Sequence, residues 1–261
     1  MKYVARSPTA TMQSRIAFTA FHIAFLILLG CLLGRSGAVA EELSPARLDH
    51  LVLTVPDARG VVESLEEVLG ADFEYGGVHP RLGTENYLLA IGELVYLEVL
   101  APRSGNPGLL PFAAALRGQG SPDLPAFAVS SDNIEALKER LEKLSINTAA
   151  ITRSSRRTSS GALLEWKGMY ILSEEYKGLV PFAIEWVANY HPTHSLVRVA
   201  NLVSLNVTHP NPEGLRNIYD AIGLSVPVYF GPKAGVVARI AGRNDSEVLL
   251  IGSGAGFEVK E

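Results

Sequence analysis

The sequence has little cysteine and no excess of basic residues. Its 261 residues include one cysteine, Cys31, and the formal net charge is −4 at pH 7. One cysteine cannot form an intrachain disulfide and provides no thiolate cluster for a metal. A negative net charge also lacks the basic footprint of nucleic-acid-binding proteins. The composition, 48% hydrophobic, therefore favours a globular protein that depends on its core and has no nucleic-acid partner.

The first forty residues have the pattern of a secretory signal peptide. Basic residues precede an apolar run at 16–33, and Ala38-Val39-Ala40 follows before an acidic start. This order predicts cleavage after Ala40. Cleavage removes four basic residues and no acidic one, so the formal charge changes from −4 to −8. We therefore expect a secreted or periplasmic protein that has no membrane contact after cleavage.

Two alternatives remain for this segment. The run 16–33 nearly reaches the length of a spanning helix, so it can act as an uncleaved membrane anchor. Leu28-Leu29-Gly30-Cys31 resembles a lipobox with a lipidated Cys31. Apolar residues follow this cysteine, whereas lipoproteins usually become polar there. Cleavage after Ala40 is therefore the preferred interpretation.

The stretch 48–102 has the pattern of a β-α-β-β-β unit. Residues 48–55 form an apolar run rich in β-branched residues, which predicts a buried strand. Asp57 and Gly70 are the candidate N-cap and C-cap of a helix with one apolar face. Three further strands are predicted at 73–77, 87–91 and 94–100. This unit therefore alternates between strand and helix periodicity in a defined order.

A similar order recurs after a connector at 101–123 that is rich in Pro and Gly. The second unit begins with a strand at 125–129 and ends with one at 181–187, and it includes a predicted polar loop at 153–161. A third, partial repeat of βαβ type begins at Leu202. Such repetition predicts modules whose half-buried sheets pack side by side.

These patterns predict an α+β protein with four segments. The signal peptide at 1–40 is followed by a lead-in at 41–47. A paired-module domain then covers 48–195, and the third partial module at 196–261 packs on it. The loop with His191 and His194 is predicted to be exposed. Glu98 and Glu185 lie in apolar strands, where an unpaired carboxylate costs several kcal/mol. A metal, an arginine or an outward orientation must therefore compensate each of them.

Four motifs resemble the glyoxalase-like domain family of the vicinal oxygen chelate (glyoxalase/bleomycin resistance/dioxygenase) superfamily. They are the strand 48–53, the loop 76–86 with its His-Pro and Gly-Thr pairs, the strand 96–99 and the strand 181–186. The resemblance covers about residues 47–225. It implies paired βαβββ modules that form one cupped mixed sheet with the helices outside.

The resemblance also implies a set of metal ligands. In the superfamily these ligands lie on the first and last strand of each module and point into the cup. The matching positions are His50 and Glu98 in the first module and Glu185 in the second. The remaining position falls near Pro125 or Ala126, which cannot bind a metal. One His and two carboxylates resemble a set that leaves open positions on a divalent ion such as Fe, Mn, Ni, Co or Zn.

Three hypotheses follow for function. The first is an exported metal-dependent lyase, isomerase or dioxygenase that acts on a small oxygenated substrate, since a metal can stabilise an enolate or polarise a carbonyl. Its candidate base is His79, or a Glu that leaves the metal. Its candidate substrate-binding residues are Asn86, Arg153 and Arg157, and Arg156 is a third arginine that can meet an anionic substrate. The alternative is a metal-free protein that binds or sequesters a small molecule, with Glu98 or Glu185 paired to an Arg or a backbone donor. A third hypothesis, a docking role for the third repeat, has no sequence feature that requires it.

Overall fold

The computed structural model describes residues 44–103, 112–158 and 161–256. The strands are β1 (Arg47–Thr54), β2 (Glu74–His79), β3 (Thr84–Ala90), β4 (Tyr96–Pro102), β5 (Asp123–Ser130), β6 (Thr152–Arg157), β7 (Leu163–Met169), β8 (Phe182–Trp186), β9 (Asn201–His209), β10 (Val228–Phe230), β11 (Gly235–Ala241) and β12 (Glu247–Gly252). The helices are α1 (Ala58–Leu69), α2 (Phe112–Gly118), α3 (Ile134–Lys143) and α4 (Pro212–Ile222).

The predicted signal peptide at 1–40, with its alternatives, lies outside the described residues. None of the helices that the structure describes is long and apolar enough to cross a membrane.

Strands β1–β8 form one mixed sheet in the order β2-β3-β4-β1-β5-β8-β7-β6. In each half, the first and last strands pair in parallel, β1 with β4 and β5 with β8. Strands β1 and β5 pair antiparallel and join the halves. The order is symmetric about this junction, as two βαβββ modules require. The predicted paired modules, with β1–β4 in the first and β5–β8 in the second, are confirmed.

The two module helices begin with equivalent caps. The side chain of Asp57 accepts from the backbone N–H of Arg59 at 3.3 Å, and that of Asn133 accepts from Ala136 at 2.9 Å. Such caps satisfy backbone donors that the first turn leaves free. Gly70 ends α1 in the left-handed region (φ 58). Both helices bury their apolar faces against the same face of the sheet, which we call the helix face.

The opposite face curves into a cup, which we define as the concave face lined by His50 and Glu98. The edge strands β2 and β6 approach each other there, and Arg156 Nη1 donates a hydrogen bond to the carbonyl of Gly76. Gly77 has φ 125, and a Cβ there would lie 2.5 Å from the carbonyl oxygen of Arg157. A side chain at this position would therefore hold the two edges apart.

Residues 152–157 form an edge strand, whereas the sequence predicted a polar loop at 153–161. Strand β6 pairs with β7 along its whole length. Its polar composition misled the prediction, because an edge strand with one face in solvent can carry polar side chains without losing its ladder.

The C-terminal unit has its own sheet, in the order β10-β9-β11-β12. Strands β9 and β10 are parallel and flank α4 in sequence, which matches the predicted βαβ order. The first strand here pairs with the second and third strands, so the topology differs from that of the two modules. The unit packs against the helix side, where Ser253 binds Asp123 and the core is continuous with that of the modules. The boundaries 48–195 and 196–261 stay a prediction.

Candidate functional site

A β-bulge near the start of β1 brings two neighbouring polar side chains together. Leu48 pairs with Val129 and His50 with Ala128, so Asp49 is an extra residue without a partner on β5. A bulge turns successive side chains away from strict alternation. Asp49 Oδ1 consequently lies 2.6 Å from His50 Nδ1, and both side chains are buried.

The other neighbours of Asp49 stabilise its ionised carboxylate. Trp186 Nε1 donates to Asp49 Oδ2 at 2.9 Å, and His191 Nε2 lies 3.4 Å from the same oxygen. Burial alone would raise the pKa of Asp49, but His191 and His50 lower this pKa to about 2. A charged Asp49 can only accept hydrogen bonds, so His50 Nδ1 must be the donor. The second ring nitrogen of His50, Nε2, is then the one that faces the cup.

The imidazole of His50 is fixed by aromatic packing. Its ring stacks on Tyr96 with a centroid distance of 4.6 Å and meets the edge of Phe182 at 5.4 Å. His50 Nε2 lies 3.8 Å from Glu98 Oε2. This separation is too long for a hydrogen bond. Both atoms therefore remain free to interact with a molecule in the cup.

Glu98 is held on one side only. It lies opposite Val52 in the parallel pairing of β4 with β1, two residues further along β1 than His50. Asn86 Nδ2 donates to Glu98 Oε1 at 2.6 Å. Asn86 Oδ1 is enclosed and has no hydrogen-bond partner among the described residues. The predicted site residue Asn86 is thus in the cup and positions the carboxylate.

His79 and Arg156 complete the polar lining. His79 Nδ1 lies 3.1 Å from Thr84 Oγ1. Burial lowers the pKa of His79; Glu98 opposes this shift, and the positive charge of Arg156 adds to it. Burial also lowers the pKa of Arg156, with Tyr96 and Glu98 opposing. These charges act on one another across the cup. His79 is therefore neutral near pH 7, and its predicted role as a base stays a prediction.

Glu185 is not in the cup, which contradicts its prediction as the third metal ligand. Its Oε1 pairs with Lys167 Nζ at 2.8 Å, and its Oε2 accepts from the backbone N–H of Ile134 at 2.8 Å. Ile134 is the first residue of α3, so Glu185 lies on the helix face. A carboxylate at a helix N-terminus is favourable because it satisfies free N–H groups.

The register of β8 explains this error. His50 lies seven residues before the N-cap Asp57, and Ala126 lies seven residues before the N-cap Asn133. In the first module, the residue two positions after His50 pairs with Glu98; in the second, the residue two positions after Ala126 pairs with Phe182. Phe182 therefore occupies the position that matches Glu98. Glu185 is three residues further along β8, and an odd step along a strand points to the opposite face.

Two of the predicted substrate-binding arginines also lie outside the cup. Arg153 and Arg157 are exposed, and Arg157 Nη1 donates to the carbonyl of Gly161 at 2.9 Å. Arg156, the third arginine that was predicted to meet an anionic substrate, is the one that points inward and is buried. Strand alternation places neighbouring side chains on opposite faces, so recognising β6 as a strand would have identified it.

The sequence prediction also missed Asp49 and His191. His191 was predicted to lie in an exposed loop, but it is buried beside Asp49. An Asp-His pair at the start of an apolar strand was the available signal for Asp49. The predicted ligands that do meet are His50 and Glu98. Within the described part of the chain, no group of three or more His, Cys, Asp or Glu side chains is arranged to hold a metal ion.

Comparison with known proteins supports the fold described above. A family model described as a glyoxalase-like domain matches residues 48–223. No curated protein matches the chain. A crystal structure of a hypothetical protein from Staphylococcus aureus is 17% identical, with a TM-score of 0.57 over 82% of this chain and 87% of that one. At this identity the similarity supports the fold alone.

Two solved enzymes match the chain at lower structural similarity. A methylmalonyl-CoA epimerase in complex with methylmalonyl-CoA and NH4+ is 17% identical, with a TM-score of 0.43 over 57% of this chain and 100% of its own. A mutant of 4-hydroxymandelate synthase from Streptomyces coelicolor is 18% identical, with a TM-score of 0.43 over 80% of this chain and 63% of its own.

Proposed function

Because the chain belongs to the glyoxalase-like domain family, we propose that it binds a small oxygenated molecule in the cup and transfers a proton on it. The observation that carries this proposal is the geometry of His50. Its Nδ1 is held by the buried Asp49 at 2.6 Å, and its Nε2 faces Glu98 at 3.8 Å. A fixed imidazole with a free ring nitrogen is a typical general base.

Two carboxylates flank the imidazole of His50 and stabilise the charge that a proton transfer creates there. When Nε2 takes a proton from a carbon next to a carbonyl group, the ring becomes an imidazolium. Asp49 stabilises that charge at Nδ1, as a buried carboxylate does in a catalytic triad. Glu98 stabilises it from the Nε2 side, and Asn86 keeps the Glu98 carboxylate in place. The electron pair of the broken C–H bond moves onto the carbonyl oxygen as an enolate. Returning the proton to the same or a neighbouring atom completes an isomerase-type reaction.

Hydrogen–deuterium exchange tests this proposal without knowledge of the natural substrate. The probe is 2-oxobutyrate in D2O, and NMR follows the loss of its C3 proton signals with EDTA-treated protein. We expect the wild type to accelerate the exchange. His50→Gln should lower the rate about a hundredfold or more, because a positioned base typically contributes that much. Glu185→Gln is the matched control and should keep the wild-type rate. Exchange at the buffer rate with wild-type protein would contradict the proposal.

A second candidate retains a divalent metal, and the enclosed Asn86 Oδ1 without a partner favours it. The originally predicted set does not fit, because Glu185 faces α3. His50 and Glu98 with the amide oxygen of Asn86 would hold the ion, which would polarise a bound carbonyl group. Under this candidate, Mn2+ or Co2+ raises the melting temperature of wild-type protein, and Asn86→Leu removes the increase. No increase with either ion would exclude it.

We also propose that the protein is exported. The basic flank, the apolar run 16–33 and the Ala-x-Ala site support cleavage after Ala40. N-terminal sequencing of the protein recovered from its host is expected to begin at Glu41. A chain that keeps residues 1–40 in the membrane fraction, or that carries lipid on Cys31, would contradict cleavage.

A further inference from the structure

The guanidinium of Arg156 is buried in the cup and has no acidic partner. The residue is 6% exposed, and Nη1 donates to the backbone carbonyl of Gly76. No carboxylate of residues 44–103, 112–158 or 161–256 forms an ion pair with it within 4.0 Å. A guanidinium has five N–H donors, so most of them remain available.

These remaining donors open onto accessible space. Among the described residues, the enclosed side-chain polar atoms without a hydrogen-bond partner are Asn86 Oδ1, His191 Nε2 and Ser246 Oγ. No nitrogen of Arg156 is in this group. Its unpaired N–H groups therefore have access to a molecule in the cup, on the side where Tyr96 and Glu98 act on its charge.

The hydrogen bond that Arg156 forms between β6 and β2 does not fully explain why a charged residue is buried at this position. A neutral donor such as glutamine could bind the Gly76 carbonyl without a buried charge. Burying a charge without a partner costs several kcal/mol, so a residue with this cost needs a compensating anion. Glu98, the carboxylate that acts on its charge, is outside ion-pair distance and already binds Asn86. A ligand is the remaining source of compensation.

We propose that Arg156 binds the carboxylate of the small molecule in the cup, so that the ligand is an oxygenated carboxylic acid with a short carbon chain. The planar guanidinium fork matches a carboxylate with two parallel hydrogen bonds. A single negative charge suits the site better than a phosphate dianion, because Glu98 is close. Ala126, Ala128 and Phe182 offer an apolar wall for the carbon chain. The position of the reacting carbon beside His50 rests on the proposed function; the carboxylate contact does not.

Binding of matched probes tests this inference. Isothermal titration compares 2-oxobutyrate with 2-butanone, which has the same ketone and carbon chain without the carboxylate. Wild-type protein should bind the acid about tenfold or more tightly than the ketone, since hydrogen bonds to charged groups have this effect. Arg156→Met should lose about tenfold or more in affinity for the acid. Arg153→Met, on the exposed face of the same strand, should bind like wild type.

Each outcome decides the inference. Equal binding of acid and ketone by wild type, undetectable binding of the acid, or unchanged affinity in Arg156→Met would overturn it. If Arg156→Met does not fold, the wild-type comparison of acid and ketone and the variant Arg156→Lys decide. Arg156→Lys keeps the charge but loses the fork and should bind with intermediate affinity. His50→Gln separates the two proposals, because it should bind the acid without exchanging its protons. Binding by wild type without exchange would leave this inference intact and contradict the proposed function.

Discussion

The two βαβββ modules share one topology and present different side chains to the cup. The first module contributes His50 and Glu98, whereas the equivalent positions of the second are Ala126 and Phe182. The second module has a glutamate on its last strand, Glu185, but this residue accepts a hydrogen bond from the backbone at the N-terminus of α3. A glutamate on the last strand of a module is therefore insufficient to place a carboxylate in the cup. Strand register decides whether that residue faces the cup or the helices.

The largest expected difference between the modules is in stability. Asp49→Ala should lower the free energy of unfolding by about 3–5 kcal/mol, since it leaves a buried charge network without its centre. Glu185→Ala removes a partly exposed ion pair and a helix-capping contact, which should cost about 1 kcal/mol. Urea unfolding of both variants measures the difference. Equal losses would contradict the description of Asp49 as the centre of a buried charge network.

Lowering the pH should remove the stabilisation that the buried carboxylate of Asp49 contributes to the first module. The folded-state pKa of Asp49 is lowered from 3.8 to about 2. The stabilisation from this shift is fully present above the unfolded-state pKa and is lost as the pH falls through the folded-state value. Between pH about 5 and about 2, the wild type should therefore lose about 2 kcal/mol more than Asp49→Asn. Urea unfolding across this range gives the two slopes, and parallel slopes would count against a lowered pKa of Asp49.

Transferring the first module's pair to the second should create a metal site. In Ala126→His/Phe182→Glu, the equivalent positions of the two modules carry two imidazoles and two carboxylates, a donor set suited to a divalent transition metal. We expect the double variant to bind Co2+ at least about tenfold more tightly than wild type, a difference of about 1.4 kcal/mol. Titration of the Co2+ absorption bands measures this affinity, with Ala126→His as the control. An unchanged affinity would mean that the two modules are not equivalent at these positions.

The smallest expected effect concerns His79, which belongs to the first module. Burial lowers its pKa below the ordinary value of 6.5, with Glu98 opposing. An NMR titration of the imidazole protons, assigned with His79→Gln, should give a midpoint below that value. Glu98→Gln should lower the midpoint further, because it removes the opposing negative charge. A midpoint that rises in Glu98→Gln would contradict the proximity of the two groups.

Much of the fold could be predicted because its signals are local. Asp57, Gly70 and the apolar spacing of α1 indicated the first helix, and the recurring strand order indicated a paired-module fold. The site depends on features that are not local. The bulge at Asp49 arises from the pairing of β1 with β5, and the position of Glu185 depends on how β8 pairs with a strand about fifty residues earlier in the chain. Similarity between the Leu-Glu-Val and Ile-Glu-Trp segments therefore suggested an equivalence that the pairing does not support.

The most direct test is the location of a bound probe in a crystal structure of the protein soaked with 2-oxobutyrate. We expect the carboxylate within hydrogen-bond distance of the Arg156 guanidinium and the C3 carbon next to His50 Nε2, on the side of Glu98. Density for the probe elsewhere, for example beside Lys167 and Glu185 on the helix face, would contradict the claim that the first module and Arg156 form one functional site.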